Sequence, residues 1–195
     1  MSESSNHAAE ETLLPLFLKL ADRMVLVVGA GPVGEGKIAS LLEAGARVRV
    51  VAPQATERVR QLAEAGRIAW TPRPFEDADA DEAWLAFAAT SDADTQRQVA
   101  AAMSSRRRFC VAVDDPPNAS AYSAGLVRRP PFTIAISSNG AAPALTRLVR
   151  EVIEHVLPGP AWVAHARRLR AKWLAEGTPM GDRFAELVRD VKKGD

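Results

Sequence analysis

Gly29, Gly31 and Gly34 have the spacing with which a polypeptide cradles a diphosphate. Between a strand and a helix, the first glycine permits the tight turn and the second lets backbone approach the pyrophosphate. The third lets the helix pack close to the strand. The free N–H groups and the dipole at the helix N-terminus then attract the anion. The same glycines would also serve a tight turn that binds nothing. Context favours a dinucleotide: in "MVLVVGAGPVGEGKIASLLEAG", Met24–Gly45, an apolar β-branched run precedes the turn and helically spaced apolar residues follow it.

Ligands of open α/β sheets bind beyond the carboxyl ends of the strands. Besides the glycine turn, two such predicted ends carry polar groups: Thr90-Ser91-Asp92 and Asp114-Asp115. Thr90 is a candidate cofactor contact, with helix capping as the alternative role of its cluster. Asp114 closes an apolar strand at a predicted domain boundary, where a substrate would meet a nicotinamide. A carboxylate there suits a general base or a cation site. Asp115 is the better candidate for a plain turn residue before Pro116. In "ISSNGAAPALTRLVR", the residues Ser137, Ser138, Asn139 and Gly140 precede a helix; they form an anion-binding corner or its N-caps. Arg128, Arg129, Arg147 and Arg150 add positive charge in the same segment.

One expected element is missing. The second strand ends "VRVVAPQ", without the acid that usually binds the adenosine ribose of NAD. Either backbone around Pro53 and Gln54 holds the ribose, or Arg47, Arg49 or Arg58 accommodates a 2′-phosphate; Arg47 and Arg49 alternate with apolar residues, so a shared solvated face is their other reading. The residues themselves leave NAD and NADP open. No histidine pair has metal-ligand spacing, and the single Cys110 excludes an intramolecular disulfide and a cysteine metal cluster, so no metal site is expected.

The elements that must position these groups follow from hydrophobic periodicity. Strands are expected at Met24–Val28, 46–53, 67–75, 81–90 and 109–115, and helices at 33–44, 56–66 and 92–108. Such alternation predicts a parallel, Rossmann-like sheet over residues 1–115. Pro116 and Pro117 mark a boundary. Residues 116–157 then read as two strands, 121–129 and 132–138, and an amphipathic helix, 141–157. Residues 158–195 read as a helical module split near "EGTPMGD". The expected fold is thus α/β, with a small α+β segment and a helical C-terminal module. Apolar residues make up 47% of the chain, enough for a sizeable core, and the net charge of +1 gives no reason to expect nucleic acid. The polar, acidic "MSESSNHAAEET" has no signal-peptide pattern, and no apolar run reaches membrane-spanning length, so a cytoplasmic protein is expected.

Together, "LPLFLKLADRMVLVVGAGPVGEGK", "LLEAGARVRVVAP", "WLAFAATSD", "RRRFCVAVDDP" and "FTIAISSNGAAPALTRLVRE" resemble the precorrin-2 dehydrogenase/sirohydrochlorin ferrochelatase module of siroheme synthase. The resemblance covers nearly everything from Leu14 to Leu157. It implies NAD-dependent oxidation of precorrin-2 to sirohydrochlorin and, in bifunctional members, insertion of ferrous iron. It places the catalytic aspartate on Asp114, cofactor contacts on Pro32, Val33, Pro53 and Gln54, and a serine beside the tetrapyrrole cleft on Ser138. It implies a homodimer through the segment after the boundary, and it removes the missing ribose acid as an argument against NAD. A polycarboxylated substrate would also give the arginines, Arg128 among them, something to bind.

The chain departs from the family's pattern in places. Gly34 stands where alanine is usual, a change expected to be sterically harmless. Asn139 replaces a glycine, and Ala121 and Ala124 stand where a phenylalanine and a proline are typical. A different class of protein, an NAD(H)-sensing regulatory domain without catalysis, would share the glycine turn. It would give Asp114 and the Ser137–Asn139 corner no role.

Overall fold

The computed structural model describes residues 12–113 and 115–191. By their internal contacts the residues divide into two units, one ending at Ser123 and the other starting at Ala124. The first unit is built on β1 (Met24–Ala30), β2 (Arg47–Ala55), β3 (Ala69–Thr71), β4 (Leu85–Ala88) and β5 (Phe109–Ala112). All of these strands pair in parallel, in the order β3-β2-β1-β4-β5. The helices α1 (Pro32–Glu43), α2 (Glu57–Glu64) and α3 (Ala93–Ser105) cover its faces.

Alternation within each strand sorts the core into two layers. Val25 and Val27 of β1 and Val48 and Val50 of β2 pack with Ile38, Leu41 and Val59 of α1 and α2. Leu26, Val28 and Val51 pack with Val99 and Met103 of α3 and with Ala86 and Ala88. Both faces of β1 are therefore dry, which is why it reads as a continuous apolar run rather than an alternating one. Each such fully buried aliphatic side chain contributes about 1.5–3 kcal/mol relative to exposure.

The expected third strand is shorter than the pattern suggested. Pro72 and Pro74 have no N–H for a ladder, the Arg67 N–H bonds the Leu62 carbonyl, and the Arg73 guanidinium turns to Asp79 at 2.7 and 2.8 Å. No helix joins β3 to β4. A 3-10 turn at Asp77–Ala80 stands there instead. The Asp79 side chain caps it through the Glu76 N–H, and Arg106 at the end of α3 grips Asp77 and Asp81, each at 2.6 Å. The Arg73 guanidinium holds the nearly buried Asp79 carboxyl below the usual carboxylate range.

After β5, Pro116–Asn118 forms a second 3-10 turn, and the chain folds back on the open edge of β5. Ser120 Oγ accepts the Cys110 N–H at 2.8 Å, and the Ser120 and Ala121 N–H groups reach the Cys110 carbonyl. The β5 edge is thereby covered at Cys110.

The second unit starts with an antiparallel pair, β6 (Gly125–Arg129) and β7 (Phe132–Ile136), on which α4 (Pro143–Val156) packs. A side chain at Gly125 would bring its Cβ within 3.1 Å of Thr146, so glycine there permits the close approach. The helices α5 (Pro160–Glu176) and α6 (Met180–Val191) follow. They are joined by Glu186, which accepts from Trp173 Nε1 at 2.7 Å and Lys172 Nζ at 3.0 Å. Among the described residues, no helix is long and apolar enough to cross a membrane.

Candidate functional site

The carboxyl ends of β1, β4 and β5 converge on a cleft of about 490 Å³ in the first unit, lined among others by Val33, Thr90, Ser91, Gln96, Val113 and Asp115. Val33, in the first turn of α1, brings the glycine turn to its rim, and each glycine of that turn has a separate cause. Gly29 has φ +102° at a β-bulge where the β1–β2 register shifts, and a Cβ there would lie 2.4 Å from the Ala89 carbonyl oxygen. A Cβ on Gly34 would lie 2.2 Å from the Gly29 carbonyl oxygen. Glycine itself fits without strain, whereas the alanine usual at this position would force α1 to draw back from β1. Gly31 differs from both. Its φ is −75°, which any residue adopts, and a Cβ there would meet nothing within 4 Å. Among the described residues, nothing requires glycine at 31.

Pro32 supplies the first residue of α1, where its missing N–H costs nothing. Val33 is half exposed, an apolar side chain facing the cleft. Thr90 accepts the Asp92 N–H at 3.2 Å, and Asp92 itself caps α3 by accepting from Asp94 and Thr95. Those backbone bonds hold the Asp92 carboxyl below its ordinary range. The capping role is filled by Asp92, and Thr90 stays in the cleft wall. Pro53 and Gln54 are exposed at the carboxyl end of β2. Arg47 and Arg49 are not near them. Arg47 pairs with Met24 at the amino end of β1, and Arg49 pairs with Glu82 at 3.1 Å. At about 3.3 Å per residue, six residues separate Arg49 from the end of β2 by about 20 Å, so neither arginine can reach a 2′-phosphate there.

Asp114 lies outside the described residues. Its neighbours Val113 and Asp115 both line the cleft. Asp115 accepts from the Asn118 side chain at 2.7 Å, the turn role expected of it. Gln96 was not foreseen. It is 6% exposed, and its Nε2 donates to the Thr90 carbonyl at 2.6 Å and the Val113 carbonyl at 3.1 Å, tying the ends of β4 and β5 together. The signal was a glutamine at an inward position of α3, in register with Val99 and Met103. Cys110 is buried in the sheet, and burial pushes its thiol up to about 11, which makes it inert packing.

The other predicted site residues belong to the second unit. Ser138 Oγ accepts the Ala142 N–H at 3.2 Å and the Thr146 hydroxyl at 2.9 Å. Ser137 Oγ accepts the Asn139 N–H at 3.1 Å. Asn139 and Gly140 both have positive φ, 52° and 80°, so a glycine-like turn survives the change to asparagine. Arg128 is exposed on β6 opposite Thr133, while Arg129 is spent on the Leu157 carbonyl at 2.7 Å. Among the described residues, no group of histidine, cysteine and carboxylate side chains is placed to hold a metal ion.

A parallel sheet in this order, with a glycine turn and a helix N-terminus opening on a cleft at its carboxyl edge, defines a Rossmann-like dinucleotide-binding protein. Residues 16–124 match the family described as "Putative NAD(P)-binding", and the chain belongs to that family. Residues 131–155 match a second description, "Sirohaem biosynthesis protein central". The siroheme synthases of Salmonella arizonae and Citrobacter koseri are 40% and 42% identical over 172 residues, 87% of this chain. The chain spans 38% of the length of these relatives. A solved structure named "SirC, precorrin-2 dehydrogenase" shares the fold, with a TM-score of 0.72 at 20% identity, over 93% of this chain and 100% of that one.

Proposed function

We propose that this chain oxidises precorrin-2 to sirohydrochlorin with NAD, as one step of siroheme synthesis. The observation that carries the reading is that likeness to siroheme synthases extends over both units, 87% of the chain, and not over the dinucleotide domain alone. A sensing domain would need only the first unit.

The residues fit the cofactor: the space that a Cβ at Gly31 would fill is open, and the first turn of α1 presents its free N–H groups beside it. The bound nicotinamide supplies a hydride acceptor. The chain does the rest. Gly31, Pro32 and Val33 position the diphosphate, Thr90 lines the cofactor wall, and Pro53 and Gln54 border the ribose. Gln96 fixes the separation of the two strand ends between which the reaction takes place. Asp114 takes the proton that accompanies hydride loss, and the Ser137–Asn139 corner with Arg128 receives carboxylates of the tetrapyrrole. The division of labour follows: residues 1–115 hold the cofactor, 116–157 form the dimerisation segment and 158–195 a helical cover.

The assembly in this reading is a homodimer. On α4 the side chains of Leu145, Leu148, Val152 and Val156 form one stripe that is more than half exposed, and Leu126 and Phe132 of the hairpin are also exposed. An apolar stripe left in water is the mark of an interaction surface, and a second copy presenting the same stripe would bury both.

The test is titration of NAD with and without sirohydrochlorin, joined to a turnover screen with small hydroxy acids. Coupling between tetrapyrrole and NAD supports the reading. Unchanged NAD affinity and no turnover would support the sensor, and turnover of a small acid would support another dehydrogenase. The same preparation, given sirohydrochlorin and ferrous iron, tests metal insertion.

A further inference from the structure

The end of β2 lacks the carboxylate that usually meets the adenosine ribose: its last residues are Ala52, Pro53, Gln54 and Ala55. A carboxylate nevertheless stands close by, supplied by another element. Glu35, in the first turn of α1, is half-buried, and its Oε2 accepts the Thr56 hydroxyl at 2.6 Å. Thr56 is itself fixed from two further sides. Its N–H donates to the Ala30 carbonyl in the glycine turn at 3.0 Å, and its Oγ1 accepts the Val59 N–H at 3.3 Å as the cap of α2. One threonine thus locks a negative charge between the glycine turn and the residues that leave β2. The second oxygen of Glu35 takes no hydrogen bond from the described residues.

We propose that Glu35 is the group by which this site selects NAD over NADP, doing the work of the acid missing from β2. The inference rests on the dinucleotide reading of the cleft. The chemistry is a difference of one substituent. A ribose 2′-hydroxyl donates a hydrogen bond to a carboxylate oxygen; a 2′-phosphate offers no donor and brings close to two negative charges. The site's positive groups do not offset this. Arg49 and Arg47 lie at the other end of β2. Arg60 is bound to Glu57 at 2.7 Å and to the Ala55 carbonyl at 2.7 Å. Arg58 is exposed on α2 and faces the screening solvent. A bare tie between α1 and α2 would need only the hydrogen-bonding capacity of residue 35. Selection needs its charge.

Glu35→Gln separates the two, because the amide oxygen still accepts from Thr56. NADH and NADPH are titrated against wild type and variant by fluorescence at low and high salt, with thermal unfolding as the check on the fold. Wild type should prefer NADH. The variant should shift the NADH/NADPH affinity ratio by about tenfold toward NADPH, the scale set by one charge contact partly exposed to water. The wild-type preference should also shrink as salt rises, which a structural tie would not cause. An unchanged ratio in a folded variant that binds both dinucleotides overturns the inference and leaves the cleft assignment standing. A wild-type protein that binds neither overturns the dinucleotide reading, and this inference with it.

Discussion

Three glycines on the turn of α1 should respond differently to the same methyl group. Gly34→Ala places a Cβ 2.2 Å from the Gly29 oxygen, where ordinary contact begins near 3.4 Å, so α1 must retreat by more than 1 Å. Overpacking of this kind costs about 1–3 kcal/mol, and the clash is between backbones, which puts it in the upper part of that range. The gain in helix propensity returns about 1 kcal/mol. The net loss is therefore about 1–2 kcal/mol, a fall of a few degrees in Tm. Gly36→Ala meets nothing within 4 Å inside the same helix and should stabilise by about 0.5–1 kcal/mol. Gly31→Ala also meets nothing, and should leave the stability of the cofactor-free protein within about 0.5 kcal/mol. It should weaken NADH binding by about tenfold or more, and Gly31→Asp, which adds a negative charge, by more again. Urea unfolding of the free protein and fluorescence titration of NADH measure the two quantities. Equal stability losses for Gly31→Ala and Gly34→Ala, or unchanged NADH affinity in Gly31→Ala, would refute the assignment of roles.

Other parts of the structure make separate demands. Gln96→Leu leaves the Thr90 and Val113 carbonyls without their shared donor, and should cost about 1–3 kcal/mol in urea unfolding while also lowering NADH affinity. The Asp79 carboxyl is held low by Arg73, so its folded pKa lies below the unfolded 3.8. The stability it contributes is complete above that value and is lost as pH falls through the folded pKa. Asp79→Asn should therefore flatten the acid limb of the stability profile, as read by urea midpoints at successive pH values. Leu148→Glu, in the exposed stripe of α4, should give a folded species near 21.0 kDa in sedimentation, and wild type should sediment at twice that mass.

Much of the first unit was legible because its strands are buried on both faces and its helices on one. That condition writes period and composition directly into the sequence, as in Met24–Val28 and in the Val99 and Met103 positions of α3. The glycine turn was legible for the same local reason. What escaped depends on partners far along the chain. Proline and arginine chemistry at Pro72–Asp79 shortened β3. Gln96 reaches across to Val113, and Glu35 reaches Thr56, through side-chain bonds that leave no periodic trace. That an alanine would clash at Gly34 was not legible, because the gap between α1 and β1 is a property of this packing. Of the two readings of Arg47 and Arg49, the 2′-phosphate contact fell because alternation gives the face of a strand and not the distance along it.

The reading proposed above has precorrin-2 lose a hydride to NAD and a proton to Asp114, beside the cleft lined by Val113 and Asp115. Its most direct test is anaerobic incubation of the protein with fresh precorrin-2 and NAD, following NADH absorbance and the spectrum of the product. Wild type should form one NADH per sirohydrochlorin. Asp114→Ala should form none while binding NADH within a few-fold of wild type. No NADH from wild type would contradict the account, and wild-type turnover by Asp114→Ala would move the chemistry to another carboxylate, Asp115 first.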